Sequence, residues 1–208
     1  MNNKEIRNVS ISRLSKFGIS VPDHLPFIED YNELKPQSEK AVFGKICSLG
    51  YIIGMGYTKE TNKLIDLLTK YSLWPSVTPY QKERLENPNK ISKKDENNFK
   101  MLAESVYALA WCINVLPIDY RKGCPENLAK ITIPGNTPDN FIIGKKLRTF
   151  NEIYSEADFC YCLHWYEKEC QLNNKNGILK EWIIRERRRA IDWVIGVAEN
   201  WDNLESDT

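Results

Sequence analysis

The sequence of 208 residues predicts an all-α fold, arranged as a single helical domain behind an irregular N-terminal arm. Apolar residues recur at helical spacing in several segments, and prolines and glycines separate those segments. No segment shows the strict alternation that is typical of a half-buried strand. The length suits one domain and is sufficient for a core without disulfides. We expect the arm to cover residues 1–37, packed on the body, and the helical domain to cover residues 38–208.

Proline residues break up the arm, so we expect it to be extended or partly helical. The first helix of the body is predicted over residues 38–57, where six apolar residues share helical spacing and Gly54 and Gly56 end the pattern. A second helix is predicted from about Lys59 to Leu73, closed by the prolines that follow it. The short link between these helices favours an antiparallel helical hairpin.

Residues 81–100 are rich in charge and asparagine, and we expect a solvated linker there. Within it, Ser92-Lys-Lys-Asp95 resembles a capping box with Asp in place of Glu. The helix predicted after it has the clearest apolar stripe in the chain, formed by Leu102, Val106, Leu109, Ile113 and Leu116. Residues 118–137 then read as a long loop, and a loop of that length is usually functional or poorly ordered.

A helical pattern returns from Asp139. Ser155 with Asp158 three residues later resembles an N-cap, which predicts a break near Ser155 and a new helix to about Leu172. Residues 173–177 have the composition of a turn. The last helix is predicted over about 178–200.

The charge balance of the chain, with 29 Lys and Arg against 28 Asp and Glu, excludes a global field that would attract nucleic acid or an anionic membrane. The N-terminal residues have no apolar core of a signal peptide, so we expect a cytoplasmic protein with reduced cysteines. The cluster Cys160-Tyr-Cys162-Leu-His164 aligns only two potential ligands on a helix, and a metal site needs three or four. We therefore expect no metal, and the absence of nucleotide-binding or hydrolase motifs predicts no cofactor.

Charged residues occupy positions where the apolar stripe of the last helix should continue. Glu186 and Arg187 lie there, and a charge at a core position needs a partner of opposite sign. Arg148 and Glu152, spaced i, i+4, are the candidate partners. Glu104 shares a helix face with Tyr107 and Trp111 in the same way. Either these groups line an anion-binding or acid–base pocket with aromatic walls, or they form a buried ion-pair network.

His164 is the histidine placed to act as an internal general base, although the pattern favours a structural histidine with satisfied hydrogen bonds. The C-terminal tail adds Trp201, which we expect to dock on the body. Acids that follow it, among them Asp202 and Asp207, are expected to accept hydrogen bonds from the run of arginines over residues 185–189.

The sequence resembles the bacterial family described as domain of unknown function 4272. The resemblance rests on an ordered set of short pieces: Gly18-Ile19, Leu25-Pro26, Glu104, Ala108-Leu109, Trp111, Leu147-Arg148, Glu152-Ile153, Asp158, His164-Trp165, Glu186-Arg187, Ala190, Trp193, Trp201-Asp202 and Asp207-Thr208. The loop at 118–137 carries little of this pattern. The resemblance implies a cytosolic, helical bacterial protein and supplies no activity.

The resulting candidate binding cluster comprises Glu104, Trp111, Arg148, Glu152, Asp158, His164, Trp165, Glu186, Arg187, Trp201, Asp202 and Asp207. Two classes of function stay open. The first is a non-enzymatic module, of an accessory or immunity type, that binds another protein. The second is an enzyme of unfamiliar type, which would use glutamates with His164 as acid and base and an arginine to hold an anionic small molecule. The second hypothesis requires these groups to line one open cleft.

Overall fold

A computed structural model describes residues 2–132 and 143–204 of the chain. In those ranges the chain forms eight α-helices and no strand, which confirms the all-α prediction. The helices are α1 (Asn3–Ser15), α2 (Glu39–Ile52), α3 (Asn62–Lys70), α4 (Pro79–Glu86), α5 (Lys93–Cys112), α6 (Leu128–Thr132), α7 (Phe150–Leu172) and α8 (Glu181–Ile195). The division of the chain into an arm and a body at residue 37 stays a prediction.

The described residues form two compact units. Unit one contains residues 2–37, 119–123 and 148–204, and unit two contains residues 38–118, 124–132 and 143–147. In unit one, α7 packs against both α1 and α8. In unit two, α2 packs against α3, α5 and α6, and the 3-10 turn Ile53–Gly56 contacts α5.

The helix starts follow from local capping. Asn2, Thr78, Ser92 and Thr149 each form a reciprocal capping box with the residue three positions later. The capping box predicted at Ser92 and Asp95 is therefore confirmed, and α5 buries the predicted residues Leu102, Val106 and Leu109. The same device explains two errors of prediction.

The first error is the solvated linker at 81–100. The segment contains most of α4 and the start of α5, and Gln81, Leu85 and Ile91 are buried. The high charge of the segment favoured the linker interpretation, although Thr78 is an N-cap and proline follows it at the first helical position, which is a favoured helix start. The loop at 118–137 similarly contains the short helix α6, and its residues 133–137 lie outside the described ranges.

The second error is the break near Ser155. Helix α7 runs without interruption, because Thr149 and Glu152 supply its cap one and a half turns before Ser155. The last helix is also shorter than predicted. It ends at Ile195 because Gly196 adopts φ +91°, and the carbonyl of Lys35 lies where a side chain at this position would be.

Candidate functional site

The charged residues of α7 and α8 form buried networks inside unit one. The first network is centred on Asp158 of α7, which has 1% of its surface exposed. The guanidinium of Arg7 donates to this carboxylate from Nε and Nη2, which lie 3.0 and 2.9 Å from Oδ1, and Nε also lies 3.2 Å from Oδ2. The same guanidinium donates to the carbonyls of Leu25 and Pro26, at 3.0 and 2.7 Å. Arg7 therefore ties α1, α7 and the segment after α1 together, and Asp158 compensates its charge.

Glu156, two residues before Asp158 on α7, holds a second network. Its carboxylate accepts two hydrogen bonds from Arg13 at 2.6 and 3.0 Å, and one from the hydroxyl of Tyr120 at 2.6 Å. Burial raises the pKa of Tyr120 well above its ordinary value, so the hydroxyl stays protonated and donates. The Tyr120 hydroxyl also lies 3.0 Å from the sulfur of Cys160. This network anchors residues 119–123 within unit one.

Arg187 anchors the same segment from α8. Its side chain is fully buried, and it donates to the carbonyls of Asp119 and Lys122 at 2.7 and 2.8 Å. The prediction that Arg187 lies at a core position is therefore confirmed. Its carbonyl partners differ from the side chain of opposite charge that the sequence predicts.

His164 lies between two charged groups, and 1% of its surface is exposed. Its Nε2 is 2.9 Å from Oε1 of Glu181, and its Nδ1 is 3.2 Å from Nη1 of Arg188. Arginine can only donate, so Nδ1 must accept and Nε2 must carry the proton that Glu181 accepts. Burial, which outweighs the hydrogen bond to Glu181, lowers the pKa of His164, and the adjacent charge of Arg188 lowers it further. The imidazole is held neutral in one tautomer.

Asp192 ends this chain of contacts. Its Oδ2 accepts from Nε of Arg188 at 3.1 Å, one turn along α8. Burial raises the pKa of Asp192 to about 7, and this outweighs the opposite effect of Arg188. The network Glu181–His164–Arg188–Asp192 thus crosses from the surface of unit one to its interior.

Glu167 supports the connection between α7 and α8. Its buried carboxylate accepts from the backbone N–H groups of Ile178 and Leu179 at 2.9 and 3.0 Å. Desolvation raises the pKa of Glu167 in spite of these two bonds. The carboxylate lies against Gly177 so closely that a Cβ there would overlap it.

Two clefts open on the surface that α7 and α8 share. The cleft near the α7–α8 connection has a volume of about 660 Å³, and Glu167, Lys175, Lys180 and Trp182 are among its lining residues. The second, which we call the α8 cleft, has a volume of about 500 Å³. It is lined by Lys168, Gln171, Glu181, Arg185, Glu186, Arg189 and Leu204. Glu181 lines both clefts.

The other predicted site residues are distributed over both units. In unit two, Glu104 is buried and accepts from the backbone N–H of Cys124 at 2.8 Å, and Trp111 is half-buried on the same helix. In unit one, Arg148 lies 3.6 Å from Glu152, which also caps α7. These two residues were the predicted partners of Glu186 and Arg187, and they form an ion pair with each other. Glu186 is buried, as predicted, and lines the α8 cleft.

The two tryptophans of the candidate cluster in unit one, Trp201 and Trp165, are buried to different extents. Trp201 is buried and contacts the ring of Trp193 edge to face, with centroids 5.5 Å apart. Trp165 is half-buried on α7, and Asp202 is exposed. Arg189, a member of the arginine run, donates to the carbonyl of Trp201 at 3.1 Å. Asp207 lies outside the described residues.

Five charged residues of the buried networks are not among the predicted site residues: Arg7, Arg13, Glu156, Arg188 and Asp192. For Arg188 and Asp192 a signal was present, because acid and base stand four residues apart on the buried face of α8. Arg7 and its partner Asp158 are separated by 151 residues, and no local pattern connects them.

No group of three or more His, Cys, Asp or Glu side chains is placed to hold a metal ion among residues 2–132 and 143–204. Over the same ranges, no helix has the length and hydropathy needed to cross a bilayer.

Comparison with known proteins places the chain in a family. No curated protein and no solved structure matches it. The model of one protein family matches residues 7–204, which include every residue of the two clefts and of the buried networks. The chain belongs to the family described as domain of unknown function 4272.

Proposed function

We propose that this chain is a non-catalytic module that binds another protein. The observation that carries the proposal is the position of His164, whose ring lies between Arg188 and Glu181. A neutral imidazole has one lone pair, and here Arg188 occupies it. A general base must offer that lone pair to a substrate. His164 instead connects α7 to α8.

The burial of the acids supports the same proposal. Asp158 and Glu156 are almost inaccessible, and each is neutralised by an arginine from α1. An acid used in catalysis has to reach its substrate, whereas a buried ion pair fixes how helices pack. The enzyme hypothesis required glutamates and His164 to line one open cleft. Glu186 lines the α8 cleft, whereas His164 lines neither of the two clefts described above.

What stays accessible on unit one is a surface for recognition. The two clefts on α7 and α8 present charged side chains, glutamine, asparagine and Trp182 to solvent. A rigid pair of helices is a suitable support for such a surface, because little conformational entropy is lost on binding. The cysteines support a reducing compartment such as the cytoplasm, since five of the six are buried as thiols.

The test uses the full chain with an affinity tag, captured from native bacterial lysate, with mass spectrometry of proteins and small molecules that copurify. The matched variant is His164→Gln, because a glutamine amide can both donate to Glu181 and accept from Arg188. We expect a stoichiometric protein partner with the wild type and with the folded variant. A copurifying small molecule that the wild type converts and the variant does not would refute the proposal.

A further inference from the structure

The α8 cleft places three cations around one open space. Lys168 comes from α7, and Arg185 and Arg189 come from successive turns of α8. Residues four apart on a helix lie on the same face, so the two guanidinium groups are neighbours. The acids in the lining are Glu181 and Glu186. With all five groups ionised, the lining has a net charge of +1.

Arg189 has no acidic partner among residues 2–132 and 143–204. Among the described residues it forms no ion pair, and its one hydrogen bond goes from Nη2 to the carbonyl of Trp201. Its guanidinium lies 5.3 Å from the centre of the Trp201 ring, and its Nε is buried without a hydrogen-bond partner. The Trp201 ring and carbonyl therefore hold the side chain in place, while no described residue accepts from Nη1, which is the condition of an anion-binding arginine before the anion arrives.

Arg185 is a second donor that a ligand can recruit. It lies 3.5 Å from Glu181, and 39% of its side chain is exposed. Exposed ion pairs of this kind contribute little to stability, so an incoming carboxylate can compete for the guanidinium at small cost. Glu181 would not be left alone by the exchange, because it keeps the hydrogen bond from His164.

The acids in the lining select among anions. A nucleic-acid backbone carries a continuous row of phosphates, which would meet Glu181 and Glu186 as well as the cations. Separate carboxylates on a polypeptide can face Arg185 and Arg189 while the rest of the segment avoids the glutamates. Charge complementarity of this kind gives a protein interface its register and specificity.

Resting on the proposed function, we propose that the α8 cleft receives acidic side chains of the partner protein, with Arg189 as the principal carboxylate-binding residue and Arg185 as the second. The proposal defines the partner by its chemistry, as a segment with two or more Asp or Glu residues spaced to reach successive turns of α8.

The test selects peptides from a displayed random heptamer library on the immobilised full chain, and then measures binding of the selected peptides by fluorescence anisotropy. We expect enrichment of Asp and Glu. We expect Arg189→Gln to weaken binding about tenfold or more, since charge-assisted hydrogen bonds are the strong ones. Arg185→Gln is expected to weaken it less. Lys16→Gln, which removes an exposed charge of unit one outside the cleft, should change it less than about twofold.

Two additions make the result decisive. Thermal unfolding of each variant checks that it is folded, and Arg185→Gln tests the cleft independently if loss of the Trp201 contact destabilises Arg189→Gln. Because Glu205 and Asp207 follow Leu204 in the sequence, binding is repeated in a Glu205→Gln/Asp207→Asn background to remove competition from the chain's own acids.

Selection of apolar or basic peptides, absence of any enriched peptide, or binding that both arginine variants leave unchanged would overturn the proposal. The proposed function has a separate outcome. If lysate capture yields a stoichiometric protein that the Arg185→Gln and Arg189→Gln variants still bind at wild-type level, the module binds a protein through another surface.

Discussion

Replacing Asp158 with asparagine should destabilise the protein strongly, although the two side chains have almost the same shape. Asp158 is 1% exposed, and it is the acid that compensates the buried guanidinium of Arg7. The amide keeps one acceptor but leaves the arginine charge uncompensated, and removing one partner of a buried pair costs about 3–5 kcal/mol. In a chain of this length, each kcal/mol of lost stability lowers Tm by about 2–4 °C, so Tm should decrease by roughly 6–20 °C.

The assay is urea unfolding followed by tryptophan fluorescence and circular dichroism. We expect a lower midpoint with an unchanged slope, which shows that stability changed rather than the surface exposed on unfolding. The control is Glu60→Gln, since Glu60 and Lys63 lie 3.8 Å apart with side chains more than 80% exposed. Removing that exposed pair should cost less than about 1 kcal/mol.

The double variant Arg7→Met/Asp158→Leu separates charge compensation from packing. It removes both desolvated charges, so we expect it to be more stable than Asp158→Asn, even though the carbonyls of Leu25 and Pro26 lose their donor. An Asp158→Asn variant whose unfolding free energy lies within about 1 kcal/mol of the wild type would show that Arg7 does not depend on the charge of Asp158.

Three further changes test other parts of the structure. Burial raises the pKa of Asp192 from 3.8 to about 7 in the folded state, so the stability that the protonated acid contributes is complete below pH 3.8 and is lost as pH rises through 7. Asp192→Asn should therefore flatten the decline in unfolding free energy between pH 3.8 and 7, measured by urea titration at successive pH values. Gly177→Ala should lower Tm strongly, because a Cβ would overlap the Glu167 carboxylate. Gly18→Ala has open space for the Cβ and should cost only backbone strain at φ +75°, so equal decreases in Tm in differential scanning calorimetry would contradict the predicted overlap at Gly177. Thr149→Ala should lose about 1 kcal/mol in the same assay through loss of the cap of α7, and no loss would show that Thr149 is not the cap.

Local patterns in the sequence predicted the fold class and several features of the site. The apolar stripe and the Ser92 capping box predicted α5, because both depend on residues within a few positions of each other. The interruption of the stripe in α8 predicted that Arg187 would be buried, since its neighbours in helical spacing are apolar.

The partners of the buried charges could not be predicted by the same means. Arg7 reaches Asp158 across 151 residues, and Arg187 bonds to backbone carbonyls that every residue possesses. Such contacts depend on tertiary structure, which spacing along one helix does not encode. The error at Ser155 has another cause. Thr149 and Ser155, six residues apart, are both residues that can cap a helix, and the burial of Tyr154 and Ala157 favours the longer helix that begins after Thr149.

We propose that the buried charges of unit one support the fold and that His164 is held by Glu181 and Arg188 and does not act as a base. The most direct test is a two-dimensional ¹H–¹⁵N NMR titration of the histidine side chains, because the chain has two histidines and His24→Gln assigns them. We expect His164 to stay neutral, with the proton on Nε2, as pH falls below 6.5, because burial and Arg188 lower its pKa. A His164 signal that titrates at or above 6.5, or a neutral ring with its proton on Nδ1, would show that Arg188 and Glu181 do not hold the imidazole in this way.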